Sequence, residues 1–277
     1  MPFQFTQVDV FSATPLQGNP LAVVHGADAL SEAQMHAFAR WTNLSETTFL
    51  LKPTDPAADY RVRIFTPHRE LPFAGHPTLG SCHAWLEAGG VSQADGETVQ
   101  QCAAGLIRIR RSGTRLAFAA PPRLRTGPLE DELLARIVKA LSLRAEDVLG
   151  HQWVDNGPGW AAVRVRSAET VLNLKIDWPA LGGIKLGVVG PHAADHDAQF
   201  EVRALIGEGA GYEDPVTGSL NASLAQWLIE SGAAPEAYVA AQGTCLQRAG
   251  RVHLVREAGT VWVGGASVSC VRGELTL

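Results

Sequence analysis

Polar and apolar positions change places along this chain with two periods, and the two periods alternate. Tyr60 to Phe65 sets Val62 and Ile64 against Arg61 and Arg63, the period-two pattern of a strand with one wet face. Val8 to Phe11 and Leu21 to His25 also read as strands, flanking a turn on Pro15, Gly18, Asn19 and Pro20. Ser31 opens a helix, Gln34 stands at capping-box spacing from it, and Met35 and Phe38 supply the apolar face. Glu46 to Leu51 reads as a strand. A second helix is predicted from about His76-Pro77, with Leu79, Cys82, His83 and Leu86 at helical spacing and Gly89-Gly90 as its stop. Strands follow at Leu106 to Arg110 and Leu116 to Ala119, and Pro121-Pro122 mark a linker.

The second half repeats this order. The stretch ending the second helix, Ala84-Trp85-Leu86-Glu87-Ala88-Gly89-Gly90, resembles Gln226-Trp227-Leu228-Ile229-Glu230-Ser231-Gly232, with the tryptophans 142 residues apart. Val62-Arg63-Ile64-Phe65 matches Val202-Arg203-Ala204-Leu205 at 140, and Ile107-Arg108-Ile109 matches Val252-His253-Leu254 at 145. Three weak matches in one order, at nearly one offset, argue for an internal duplication. The offset of 142 sets Gly218 opposite His76 and Thr217 opposite Gly75. Two similar halves imply a cleft where they meet, a usual place for a small-molecule site.

Composition narrows the function. The 277 residues are 46% hydrophobic and 18% charged, enough for a large core. The net charge is -5 and no basic run carries aromatics, which argues against nucleic acid and anionic membrane as partners. No window offers about 18 consecutive apolar residues, so no membrane span is expected. The N-terminus has neither a basic region nor a long apolar one, as expected of a cytoplasmic protein. Cys82, Cys102, Cys245 and Cys270 show no Cys-x-x-Cys spacing, which argues against a zinc site or a redox pair. No Gly-x-Gly-x-x-Gly follows a strand and no Gly-x-x-x-x-Gly-Lys occurs, so no nucleotide cofactor is expected.

Candidate chemistry gathers at the entries to the two matched helices. Phe73-Ala74-Gly75-His76-Pro77-Thr78 leads into the first, and Asp214-Pro215-Val216-Thr217-Gly218-Ser219 into the second. A helix start presents backbone N–H groups and a positive dipole end, and glycine lets a ligand approach closely. Two such starts could hold one carboxylate. Taken singly, Pro77 and Ser219 are also ordinary helix-opening residues. Glu46 lies between the first helix and a strand; with Asn43 it also has the spacing of a local capping box.

Several runs resemble the phenazine-biosynthesis PhzF-like family. They are Val8-Asp9-Val10-Phe11, Gly18-Asn19-Pro20-Leu21-Ala22-Val23-Val24, Asn43-Leu44-Ser45-Glu46-Thr47, Arg63-Ile64-Phe65-Thr66-Pro67 and Glu70 through Gly80. The resemblance continues through Glu213-Asp214-Pro215-Val216-Thr217-Gly218-Ser219 and Val263-Gly264-Gly265-Ala266. It implies an α+β fold of the diaminopimelate epimerase type: two pseudo-symmetric halves, each a curved, mostly antiparallel sheet around a central helix. The first half is expected to be 1–122 plus the returning strand 265–277, the second 123–264. The resemblance makes Glu46 the acid/base, with His76 and Asp214 as its catalytic partners. Ser45 and Ser219, with the backbone N–H groups of Gly75 and Gly218, would contact substrate. It further implies a cofactor-independent isomerase of the trans-2,3-dihydro-3-hydroxyanthranilate type, working as a homodimer on a small anionic substrate with no metal. Where many members have Gly-Arg-Pro-Ser, this chain has Gln247-Arg248-Ala249-Gly250, which keeps Arg248 and departs from the family at the local turn and at any ligand contact there.

The residues agree with that chemistry. Proton transfer within one molecule needs a carboxyl group that works first as base and then as acid. Burial in a closing cleft moves a carboxyl group toward the neutrality that suits both roles. Two alternatives stay open at this level. One is an epimerase or racemase on the same fold, which would use a cysteine at each helix start. The other is a metabolite-binding protein without turnover.

Overall fold

The computed structural model describes residues 2–277. The chain divides into two compact units: one runs to Ala119 and takes in Gly264–Leu277, and the other is Ala120–Val263.

The first unit contains β1 (Phe3–Val10), β2 (Asn19–Val24), α1 (Glu32–Thr42), β3 (Thr47–Leu51), β4 (Tyr60–Phe65), β5 (Glu70–Leu71), α2 (Gly75–Glu87), β6 (Glu97–Cys102), β7 (Gly105–Ser112) and β8 (Arg115–Ala119). Its strands lie in the order β1-β2-β3-β4-β6-β7-β8, with β5 on β4. The second unit contains α3 (Asp131–Ala140), β9 (Val148–Trp153), β10 (Trp160–Val165), α4 (Ala168–Leu172), α5 (Trp178–Leu181), β11 (Lys185–Pro191), β12 (Phe200–Ile206), β13 (Tyr212–Asp214), α6 (Gly218–Glu230), β14 (Ala237–Gln242) and β15 (Gly250–Glu257). Its order is β9-β10-β11-β12-β14-β15, with β13 on β12. The last strand, β16 (Thr260–Leu275), leaves the second unit beside β15 and enters the first. There it bonds β8 and pairs antiparallel with β1, Ser267 opposite Val10 and Leu275 opposite Phe3, which closes the sheet.

The two units share one plan. The parallel pairs β2–β3 and β4–β6 recur as β10–β11 and β12–β14, and the antiparallel β3–β4 and β4–β5 recur as β11–β12 and β12–β13. The fold is α+β, each half a curved, mostly antiparallel sheet around a central helix.

Each central helix is buried nearly all round. In α2 every residue from Gly75 to Cys82 is buried, and it packs on β1, β2, β3, β6 and β8. In α6 ten of the 13 residues are buried. A helix apolar on all faces is stable only inside a closed shell, and the curved sheets provide it. By contrast α1 is amphipathic and covers the outside. Met35, Phe38 and Ala39 pack on Val24, Phe49 and Phe65, while Ser31 and Gln34 exchange both bonds of the capping box. Asn43 closes α1 in the left-handed conformation, φ 53°, so its spacing to Glu46 is a helix stop and not a capping box. In the second unit, Ile137, Ala140 and Leu141 seal a core of Val163, Leu186, Val188 and Leu205. Among the described residues, no helix is long and apolar enough to cross a membrane.

One strand escapes the hydrophobic pattern. β6 turns Thr98, Gln100 and Cys102 inward and leaves Glu97 and Val99 half-buried. Its inward positions are mostly polar because their hydrogen bonds are met inside: Tyr60 Oη donates to Gln100 Oε1 at 2.9 Å, and Gln100 Nε2 donates to Thr78 Oγ1 at 3.0 Å. A fully bonded polar group is tolerated in a core, and the binary pattern then inverts.

Candidate active site

In the first unit the starts of two parallel strands and of the central helix come together. Ala22 of β2 sits opposite Thr47 of β3, so the residues just before them, Leu21 and Glu46, lie at the same end of the sheet. Into that end comes α2, whose first intrahelical bond runs from Thr78 N–H to the Ala74 carbonyl. Ala74 offers no side-chain cap, and the N–H groups of Gly75 and His76 have no intrahelical acceptor. Pro77 stands in the first turn, where a missing N–H costs nothing. His76 Nδ1 lies 3.4 Å from Glu46 Oε2. The imidazole is buried beside the Pro20 carbonyl, and burial pushes it down to about 3, so it is neutral at physiological pH. The contact with Glu46 is therefore not an ion pair at that pH. Ser45 sits in the bend immediately before Glu46.

The second unit builds its counterpart from β13 and α6. The helix opens from Thr217, with its first intrahelical bond from Asn221 N–H to the Thr217 carbonyl. Asp214 ends β13, and its Oδ2 accepts from the Thr217 hydroxyl. Ser219 Oγ accepts from the Trp160 indole N–H at 3.0 Å, and Asn156 Nδ2 donates to the Ser219 carbonyl at 3.0 Å. An indole N–H can only donate, so the Ser219 hydroxyl proton is directed elsewhere.

The helix starts correct the sequence alignment. Both central helices have 13 residues, Gly75–Glu87 and Gly218–Glu230, so Gly218 is opposite Gly75 and Ser219 opposite His76, an offset of 143. The flanking strands keep 140: Tyr60 bridges Gln100 as Phe200 bridges Ala240. The hairpin before the helix explains the slip. Arg63 grips Glu70 seven residues on, and Arg203 grips Glu213 ten residues on. Each arginine binds its glutamate through Nε and Nη2 and thereby pins the short strand that feeds the helix start. On the corrected offset, Glu70-Leu71-Pro72-Phe73-Ala74-Gly75-His76 lies over Glu213-Asp214-Pro215-Val216-Thr217-Gly218-Ser219.

Sequence reasoning did not single out Thr217 as a partner of Asp214, nor Gln242, Trp160 or Asn156. The corrected alignment holds the signal for the first, since Asp214 and Thr217 replace Leu71 and Ala74. Near the same helix start, Gln247 adopts φ 58°, and a Cβ on Gly243 would lie 2.7 Å from the Pro215 carbonyl and 2.8 Å from Arg248 Cβ. The unusual Gln247-Arg248-Ala249 turn thus packs against the approach to α6.

No cysteine stands at either helix start. Cys82 is inside α2, where burial pushes its thiol up to about 12. Cys102 ends β6 and Cys245 lies in a short turn of helix, and burial raises both thiols. A raised thiol is a poor nucleophile and a poor proton acceptor.

Residues 8–273 match the family model described as phenazine biosynthesis-like protein, PhzC-PhzF. This chain belongs to that family. An uncharacterised isomerase of Pasteurella multocida is 32% identical over 278 residues, covering 99% of this chain and 94% of the relative. The trans-2,3-dihydro-3-hydroxyanthranilate isomerase of Pseudomonas chlororaphis is 56% identical over 77 residues, 28% of this chain and 27% of the relative. The solved structure of a predicted epimerase from Pseudomonas aeruginosa superposes with a TM-score of 0.79 at 30% identity, covering 99% of both chains. The protein is an isomerase on a diaminopimelate epimerase-like fold.

Proposed function

We propose that this isomerase moves a proton within a small anionic metabolite of the trans-2,3-dihydro-3-hydroxyanthranilate type, without a cofactor, using Glu46 as the acid/base. The observation that carries the reading is Glu46 held 3.4 Å from a neutral, buried His76 at a helix start. Glu46 takes a proton from one carbon of the substrate and returns it to another. The conjugated system shifts, and the substrate leaves with the same atoms. The N–H groups of Gly75 and Gly218 hold the substrate carboxylate and stabilise charge that spreads onto it. Ser45 and Ser219 add hydroxyl contacts. Asp214 and His76 orient an amino or hydroxyl group. The direct test is incubation of the purified protein with trans-2,3-dihydro-3-hydroxyanthranilate, followed by NMR. Loss of the starting isomer supports the reading, and a substrate that persists unchanged overturns this choice of substrate.

Two-thiol epimerisation makes a different demand. A Cys102→Ala, Cys245→Ala double variant is expected to fold and keep its turnover, because neither thiol stands at the start of a central helix and burial raises both. A folded double variant with no activity would favour the epimerase alternative.

The enzyme is further proposed to be a cytoplasmic homodimer. A closed two-fold pair is the commonest assembly. An open apolar groove of about 430 Å³, lined by Ala37, Phe38, Trp41, Leu275 and Leu277, supports pairing, with Trp41 80% exposed. Light scattering at micromolar concentration is expected to give twice the chain mass, and a single chain mass would exclude the dimer.

A further inference from the structure

The second unit carries a buried polar network at the start of α6 that reaches Thr217 and Asp214, whereas at the start of α2 the first unit's buried Gln100 bonds Thr78 and Tyr60. At its centre is Gln242, the last residue of β14, which is fully buried. Its Oε1 accepts from Thr217 N–H at 3.0 Å and from Asn221 Nδ2 at 2.7 Å. Its Nε2 donates to the Asp214 carbonyl and to Thr217 Oγ1, both at 3.0 Å. The direction of the amide is fixed twice, since a backbone N–H can only donate and a carbonyl can only accept. Thr217 Oγ1 thus accepts a hydrogen bond from Gln242 and has one O–H of its own to direct, which it donates to Asp214 Oδ2.

A helix start does not need this arrangement. The positions equivalent to Asp214, Thr217 and Asn221 are Leu71, Ala74 and Thr78, and the strand position equivalent to Gln242 is Cys102. Neither helix start is capped by its own N-cap side chain, and Cys102 Sγ points to the Gly105 carbonyl at 3.6 Å. Both helices nevertheless reach 13 residues. Burying a glutamine, a threonine and an asparagine together is tolerated only when their polar groups are met by good partners, and the first unit builds the same helix with leucine, alanine and cysteine at three of the four equivalent positions. What distinguishes the second unit is the carboxylate of Asp214.

We propose that Gln242 is a positioning residue for Asp214. By donating to the Thr217 hydroxyl it obliges that hydroxyl to bond the Asp214 carboxylate, and it holds the Asp214 backbone by a second bond, so that the carboxylate meets the substrate in one orientation. This rests on the reading of Asp214 as a substrate contact. A fixed carboxylate matters because a misplacement of about 1 Å can cost on the order of 10²-fold in rate.

The experiment compares wild type with Thr217→Ser, Thr217→Val, Gln242→Met and the Thr217→Val, Gln242→Met double variant. Each is crystallised, and each is assayed on trans-2,3-dihydro-3-hydroxyanthranilate. In the crystals the Asp214 carboxylate is expected to keep its orientation in Thr217→Ser and to turn away in Thr217→Val and Gln242→Met. In the assay Thr217→Val and Gln242→Met should each lose roughly tenfold in kcat/KM, and Thr217→Ser should recover most of that loss. The double variant should be no worse than Gln242→Met alone, because two residues on one path do not add. Additive losses would mark two separate structural effects and overturn the proposal. An Asp214 carboxylate that stays in place without the Thr217 hydroxyl would also overturn it, whatever the rates. If Gln242→Met does not fold, the Thr217→Val and Thr217→Ser pair decides by the same two readouts. Wild type that leaves the dihydro substrate unchanged would instead fail the choice of substrate, while the crystal arm still decides the positioning role.

Discussion

Glu46→Gln is expected to bind substrate and to turn it over roughly 10²–10⁴-fold more slowly than wild type, the usual contribution of one general acid/base. Glutamine keeps the length and hydrogen-bonding reach of Glu46 beside His76 but cannot accept the migrating proton. Binding should survive, because the proposed hold on the substrate comes from the Gly75 and Gly218 N–H groups and from Asp214. Buried His76 is neutral from its pKa of about 3 upward, so it is a weak base and leaves the proton to Glu46. Single-turnover kinetics with a separate binding measurement gives both quantities. Running wild type in heavy water should place deuterium at the new C–H position unless Glu46 returns the same proton before it exchanges, so the variant rate is the sharper test. A Glu46→Gln protein that works at the wild-type rate would exclude this mechanism and leave Asp214 or His76 as the base.

Gly18→Ala should lower the melting temperature by about 5–15 °C, the shift that a few kcal/mol produces in a protein of this size. A Cβ at Gly18 would lie 2.2 Å from the Val10 carbonyl oxygen, a backbone atom that cannot swing aside. Relief means opening the turn between β1 and β2. That turn is tied by the Gly18 N–H, which donates to Asp9 Oδ2 at 2.7 Å, and Asp9 is buried at 2% exposure. Overpacking costs about 1–3 kcal/mol, and a buried acceptor stripped of its donor costs about 1–3 kcal/mol more. The turn also delivers Pro20, whose carbonyl lies at His76, so activity should fall with stability. Calorimetry that shows equal melting for the two proteins would sink this account of Gly18.

The predicted elements and the structure agree where side-chain pattern and backbone need coincide. Tyr60–Phe65 alternates, and its alternate side chains are buried. Ser31 and Gln34 cap α1 as their spacing requires. The pattern failed at β6, because Gln100 and Thr98 face inward with their hydrogen bonds met, and polarity then no longer reports exposure. It placed the two helix starts out of register by one, because three extra residues in the Arg203–Glu213 hairpin are invisible to a single offset.

By itself the sequence indicated the duplication, the two matched helices and the motifs that carry Glu46, His76, Asp214 and Ser219, while the central place of those helices came from the family resemblance. These depend on local periodicity and on residues close together in the chain, which leave a mark in the order of amino acids. Only the tertiary structure decided that Glu46 and His76, 30 positions apart in sequence, touch, and that His76 is stripped of its charge by burial. It alone brought Gln242 of β14 to Thr217 and Asp214 across 25 and 28 residues, and Trp160 to Ser219 across 59. Such contacts are set by which strands neighbour one another in the sheet and by where a helix enters it. Strand order costs the chain nothing locally, so no local pattern records it.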